Sequence, residues 1–349
     1  MNESPQHVDV ARARQILEQA EAADRARNTS RYEAEAAALL AIASEIAPAL
    51  DLLTEVDLDA ALRLAGVTSL LWQDAGLVDV GRNAVERAIA VVGDEPLAAL
   101  ARAVLTAADL AFRQGDQAAA VDRAERAIRI AESVGDRSIA SLAHTDLARV
   151  ALRAGAAADI ERHAREALVL ASDDPLGRRG ALHMLAWAAH TAGDMPEARR
   201  RFAASLALRR TLEDRFSISV ELSNLGDLSA AAGDRAAGAR AMTEALVIAQ
   251  ELQSRYLIVN LLPSFATLAL DEDRLSDAVR LLGASDRAAE SAGLLADPGG
   301  YGVDTRDRLL SLVDAQWFDQ LHREGASLSD DDAITLARAV AEEIDRANA

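Results

Sequence analysis

Apolar residues recur along the chain at spacings of three and four, and this helical period runs almost from end to end. No stretch combines two-residue alternation with the β-branched and aromatic enrichment that a strand requires. The pattern therefore predicts an all-α protein. Turn residues divide it evenly: Gly76, Gly115, Gly155, Gly193, Gly233 and Asp273 each separate two helical runs, at intervals of 39, 40, 38, 40 and 40 residues. Such a period predicts stacked helix pairs, each of which buries its apolar face only against its neighbours.

Small side chains recur in register with the turns. Seven residues before each turn stand Ser69, Ala108, Ala148, Ala186, Gly226 and Ala266; five after it stand Gly81, Ala120, Ile160, Ala198, Gly238 and Ala278. Twelve after it come Ala88, Ala127, Ala167, Ser205, Ala245 and Ser285. Only Ile160 is large. The placement resembles the tetratricopeptide repeat with a lengthened unit, and Trp72, Phe202 and Met242 supply bulky residues where that repeat has them. HEAT-type repeats of about 40 to 47 residues are the alternative. The fold class expected is thus an α-α superhelix, a tetratricopeptide-like solenoid, with helical caps at both ends.

Four segments follow: a disordered tail over 1–8, N-terminal helices over 9–57, about six helix pairs over 58–294, and a helical cap over 295–349 that opens with the break at 295–300. Pro48, Pro96, Pro175, Pro196 and Pro298 fall at expected helix edges. Pro263 falls inside the first helix of the sixth pair, expected over 254–271, where it should leave the carbonyl of residue 259 without its helical donor. In the cap, Trp317 and Phe318 are the large apolar residues available to pack it onto the last pair, and Ser329 should cap a helix that begins with three aspartates.

Composition narrows the function. Alanine fills 79 of 349 positions and only 11 residues are aromatic, as suits closely packed helices. A net charge of -19 argues against nucleic acid and anionic membrane as partners, since both require a basic face. All 37 basic residues are arginine, so a Walker-type phosphate loop, a lysine Schiff base and a lysine general base are excluded. Absent cysteine removes thiol chemistry and thiolate metal sites. Lacking a leader pattern or a long apolar run, the chain reads as soluble and cytoplasmic.

No constellation points to catalysis, a metal or a cofactor. His183 and His190 share a helical face with Trp187 between them, yet rise about 10.5 Å apart, too far to ligate one ion by themselves. The segment Pro298 to Gly302 lacks the lysine and preceding strand of a phosphate loop. Binding is better supported. In tetratricopeptide arrays the first helix of each pair lines the concave groove, and its inward positions here carry Arg102, Asp109, Phe112 and Arg113 in the second pair, and Thr145, Asp146, Arg149 and Arg153 in the third. The fourth pair contributes His183, Met184, Trp187, His190 and Thr191, the fifth Ser223, Asn224 and Asp227, and the sixth Asn260 and Thr267. Arginine forks beside an aromatic ring suit a carboxylate-bearing peptide.

A more specific resemblance covers the last third of the chain. The runs ELSNLGDLSAAAGD and RLSDAVRLLGASDRAAESAG, and the segment from Val313 to Val340, resemble the C-terminal repeat region of actinobacterial LuxR-type and ATPase-containing transcriptional regulators. The residues that carry it are Arg280 to Ala284, Phe318, Glu324 with Gly325, and Leu328. That resemblance implies a non-catalytic sensor or interaction arm whose partner is a protein or peptide, or a small-molecule effector. The alternative is a free-standing adaptor or peptide receptor without effector modules. Neither oligomeric state nor ligand identity is legible.

Overall fold

A computed structural model describes residues 8–26, 32–92, 95, 97–172, 174–252, 254–291 and 301–347. Among the described residues there are 19 α-helices and no strand. None of these helices is long and apolar enough to cross a membrane. The chain forms two compact units, Met1–Asp194 and Met195–Ala349.

The first unit opens with α1 (Val10–Ala26), α2 (Tyr32–Leu40) and α3 (Ala43–Val56). Helix pairs follow: α4 (Leu58–Val67) and α5 (Ser69–Asp74) with α6 (Val78–Val92), then α7 (Ala98–Arg113) with α8 (Gln117–Val134), and α9 (Arg137–Arg153) with α10 (Ala157–Leu170). Helix α11 (Pro175–Thr191) ends the unit. The leading helix of the first pair is divided at Thr68, whose hydroxyl accepts a hydrogen bond from Trp72 Nε1 at 3.1 Å. One hydrophobic cluster runs from the N-terminal helices to the start of α9, including Ile16, Leu50, Leu64, Trp72, Leu100 and Ala143.

The second unit contains α12 (Met195–Thr211), the pairs α13 (Arg215–Ala231) with α14 (Arg235–Glu251) and α15 (Arg255–Asp271) with α16 (Leu275–Ser291), then α17 (Tyr301–Leu312), α18 (Ala315–Ala326) and α19 (Asp330–Ala347). Its core joins α13 to α16 with Phe318, Leu321 and the apolar face of α19. The expected tail over 1–8, apart from Val8, the break at 295–300, Pro96 and Pro298 lie outside the described residues.

Each turn residue expected from the spacing has a left-handed backbone. The five glycines have φ of 65°, 79°, 66°, 80° and 90°, and Asp273 holds 57°. Gly135 (74°) and Glu213 (53°) close second helices in the same way. The small positions are places of close approach. A Cβ added to Gly226 would lie 2.7 Å from Met242 Cγ, and one on Gly238 would lie 2.8 Å from the Gly226 carbonyl oxygen, so α13 and α14 nearly touch backbone to backbone. Ile160 is fully buried in a local cluster with Ala148, Ala164 and Met184.

Helix starts explain many of the acids. Asp57, Asp116, Asp136, Asp214 and Asp234 each accept a hydrogen bond from the backbone N–H three residues on, and Ser329 does the same for Asp332. These caps satisfy orphan donors at the positive end of the helix dipole.

Prolines behave less uniformly than expected. Pro263 lies inside α15, and the carbonyl of Val259 receives its hydrogen bond from the Ser285 hydroxyl instead, at 3.0 Å. Pro48 is not at an edge but is the sixth residue of α3.

The cap docks through glycine. A Cβ on Gly283 would overlap the carbonyl oxygen of His322, and one on Gly325 would overlap the Arg280 carbonyl oxygen, so α16 and α18 cross at a glycine-glycine contact. Arg280 adds bonds of 3.1 and 2.9 Å to Glu324 Oε2 across it. Phe318 is buried as expected, whereas Trp317 is 36% exposed and belongs to the surface: adjacent residues on one helix cannot both face its partner. Gly325→Val should therefore displace the cap, lowering stability by about 3 kcal/mol in thermal melts and exposing residues after 301 to limited proteolysis. Arg280→Ala, which removes only a half-exposed ion pair, should change stability by less than about 1 kcal/mol.

Candidate functional site

In the first unit the expected residues of α7 and α9 come together around Asp109. Its carboxylate accepts bonds from Arg149 Nη1 at 3.0 Å, Arg113 Nε at 3.2 Å, Gln73 Nε2 at 3.0 Å and the Ser69 hydroxyl. Burial opposes its charge, but Arg113 and Arg149 more than offset this and hold Asp109 below the usual carboxylate range. Asp146, also an Arg149 partner at 3.2 Å, is pushed upward by burial and by the neighbouring Asp109 charge. The guanidinium groups of Arg149 and Arg153 on α9 lie over the Phe112 ring, with Cζ 4.6 Å and 3.6 Å from its centroid. Arg153 Nη1 also donates to the Phe112 carbonyl at 2.5 Å. Arg149 is thus held by two carboxylates and the ring, and Arg153 by the ring and the Phe112 carbonyl, a geometry that leaves both little freedom to lose.

Arg102 does not join this group; it bonds Asp24 of α1 at 2.6 Å. Thr145 donates back to the Ser141 carbonyl at 3.1 Å. On α11, Trp187 Nε1 donates to His183 Nε2 at 3.0 Å, and its ring meets His190 edge-on with centroids 5.1 Å apart. Met184 is buried beneath them, and Trp187 packs partly against the same cluster. Burial lowers the His190 pKa.

The second unit presents a different surface. Asn224 and Asp227 on α13 are both buried, and the Asn224 Nδ2 group, sealed from solvent, has no hydrogen-bond partner among the described residues. Leaving such a donor unpaired costs about 1–3 kcal/mol. Asp227 accepts one bond, from the Ser264 hydroxyl at 2.9 Å, and burial pushes its pKa up to about 8. Asn260 on α15 is exposed and donates to the Tyr256 carbonyl at 2.7 Å. Thr267 bonds Pro263 O at 3.0 Å and the Thr305 hydroxyl at 2.6 Å.

Partners contributed by other helices escape a sequence reading. Ser69, Gln73 and Asp24 belong to neighbouring helices, and only the fold brings them to Asp109 and Arg102. His144 and His163 face each other across α9 and α10 with Nδ1 atoms 3.1 Å apart. Their ring centroids lie 5.4 Å apart, so the nitrogens point head-on, as a shared hydrogen bond requires, and burial lowers both pKa values, that of His163 to about 4. Arg209, 6% exposed, bonds the fully buried Glu221 at 2.7 Å. Among the described residues no three His, Asp or Glu side chains could hold a metal ion.

No protein-family model and no curated protein sequence matches the chain. Solved structures do resemble it. A Rap protein complexed with Competence and Sporulation Factor aligns with a TM-score of 0.60 at 15% identity, covering 97% of this chain and 94% of that one. The apo form of RapI aligns with a TM-score of 0.57 at 11% identity, covering 86% and 99%. At these identities the likeness is one of fold: the chain is a tetratricopeptide-like helical repeat protein.

Asp227 makes a sharp test of the second unit's surface. Its proton is retained in the folded chain up to about pH 8, whereas an unfolded carboxyl loses it near 4, so its contribution is intact below 4 and is lost as pH rises toward 8. Asp227→Asn keeps an acceptor for Ser264 and removes the titration. The variant should melt higher than the parent by a margin that widens from pH 5 to pH 8, reaching on the order of 1–3 kcal/mol. A pH-independent difference would mean that Asp227 is ionised in the fold.

Proposed function

We propose that this chain is a non-catalytic protein- or peptide-binding scaffold, the sensor or interaction arm of a bacterial transcription regulator or signalling ATPase. The observation that carries the reading is the arrangement of Arg149 and Arg153 over Phe112, with Arg149 aligned by Asp109 and Asp146 on successive first helices and Arg153 by the Phe112 carbonyl. Buried helix faces elsewhere are built mainly from Ala, Leu, Ile and Val. Two fixed guanidinium forks beside a ring match a carboxylate-bearing segment, with Trp187 on the next first helix offering an aromatic contact. The regulator assignment draws support from the Arg280 to Ala284 and Glu324-Gly325 motifs, whose glycines form the cap contact.

Purification of the chain from its native cells, followed by mass spectrometry, should yield a protein partner. Calorimetric titration of that partner should show affinity weakened about 30-fold or more by Arg153→Ala, with an unchanged melting temperature. Recovery of no partner, or equal affinity for parent, Arg153→Ala and Trp187→Ala, would remove this surface from the proposal.

A further inference from the structure

The third helix pair departs from the others at one contact. His144 stands eleven residues before the turn Gly155, and His163 stands eight after it. At the first offset every other pair has an aliphatic residue, and Ala65, Val104, Leu222 and Leu262 there are all 4% exposed or less. At the second offset three pairs have Ala84, Ala241 and Leu281. Packing of a first helix on its second is thus met by apolar side chains at this register, and two half-buried histidines in their place serve something other than packing.

Their geometry indicates what. The Nδ1 atoms are 3.1 Å apart and the ring centroids 5.4 Å, so both nitrogens lie close to the line joining the rings and aim at each other along it. As neutral imidazoles the pair shares one proton, carried by one Nδ1 and accepted by the other. Two nitrogen lone pairs opposed on one line are also the donor set of a two-coordinate monovalent d10 cation, which takes its ligands from opposite sides. Among the described residues no third His, Asp or Glu completes a group of three with them, which falls short of the four ligands of a structural zinc.

We infer that His144 and His163 form a binding site for a soft monovalent cation, Cu(I) or its surrogate Ag(I), which ties α9 to α10 through the two Nδ1 atoms. The site stands apart from the arginine surface proposed above and does not depend on it. Imidazole is a suitable ligand for copper, and with metal–nitrogen bonds of about 2 Å the two nitrogens must separate by roughly 0.9 Å. The torsion about each Cβ–Cγ bond is soft and both side chains reach solvent, so the rings can supply that movement without unpacking a core. Proton balance holds: the proton on the donating Nδ1 passes to Nε2 of the same ring, each imidazole keeps one N–H, and none is released. Glu132, Glu166 and Asp159 place negative charge around the pair, which favours a cation; Arg162 opposes it but is bonded to Asp159 at 2.8 Å. The chain has no cysteine, so no thiolate of its own competes for the ion.

The test is calorimetric titration of the full chain with silver nitrate in chloride-free buffer, read beside nitrogen NMR of the histidine rings. One ion per chain should bind most tightly, shift the Nδ1 resonances of His144 and His163, and raise the melting temperature. His144→Leu and His163→Ala should each weaken that site at least about tenfold, since loss of a ligand costs no less than loss of a residue that merely supports one. Both variants install residues that other pairs already carry at these offsets, and thermal melts verify that they fold. His322→Ala, in the other unit, should bind as the parent does. Equal affinity in the parent and both variants, nitrogen shifts confined to other histidines, or no binding at all would overturn the inference and leave the pair a proton-sharing contact between two helices.

Discussion

Two helices that approach until their backbones nearly meet leave no room for a side chain at the contact. Apart from Ile160, the positions at these crossings are glycine, alanine or serine, and the rest of the pair is fixed around them. At Gly226 and Gly238, and again at Gly283 and Gly325, a single added carbon would strike the neighbouring helix. The same demand, repeated at about 40 residues, accounts for the alanine content and for the scarcity of large aromatics, since close-packed interiors have no voids for them. Trp72 shows the converse. Its ring fills the space opposite Gly81, and α5 is a separate short helix turned at Thr68 to hold it.

With the crossings committed to packing, the first helices α7, α9, α13 and α15 carry the polar groups of the candidate surfaces on their remaining faces. In the first unit those groups are mutually compensated. Asp109 would be unstable as a buried ion without Arg113 and Arg149, and the arginines would be floppy without Asp109, Asp146 and Phe112. In the second unit the polar groups of the matching face are left with costs: an unpaired amide at Asn224 and an acid kept neutral by burial at Asp227. Helix α13 itself shows that compensation was available, since Glu221 has Arg209.

How much of this can be read without coordinates depends on the range of the interaction. Turn glycines, the spacing of small residues and the left-handed Asp273 are properties of a repeated local unit, so the chain displays them directly. The division at Thr68 and the packing of Pro48 inside α3 depend on tertiary contacts that no local pattern carries. At the candidate surfaces, residue types and helical faces were legible, because position within a repeat determines them. The grouping was not. Arg102 turns to Asp24, 78 residues earlier, while Arg149 reaches Asp109, 40 residues earlier, and nothing in either arginine's neighbourhood tells these fates apart. The unpaired state of Asn224 is equally invisible, being a statement about every atom around it.

Charge pattern follows from the same geometry. Acidic residues concentrate at helix starts, where Asp57, Asp116, Asp136, Asp214 and Asp234 bind backbone N–H groups that no other element reaches, and a chain of many short helices has many starts. Arginine then has a task lysine would do poorly. Arg82, Arg123, Arg210 and Arg215 bridge to acids 34, 37, 34 and 36 residues away, close to one repeat, and each such bridge must reach across a pair with a planar fork that holds its direction. The bridges of Arg210 and Arg215 are about half exposed and those of Arg82 and Arg123 part-buried, and all four set register between neighbouring helices. Where the bridge is instead half-buried and stacked on a ring, as at Phe112, the same device aligns cations whose direction is already fixed, which turns a packing habit of the repeat into a surface suited to recognition.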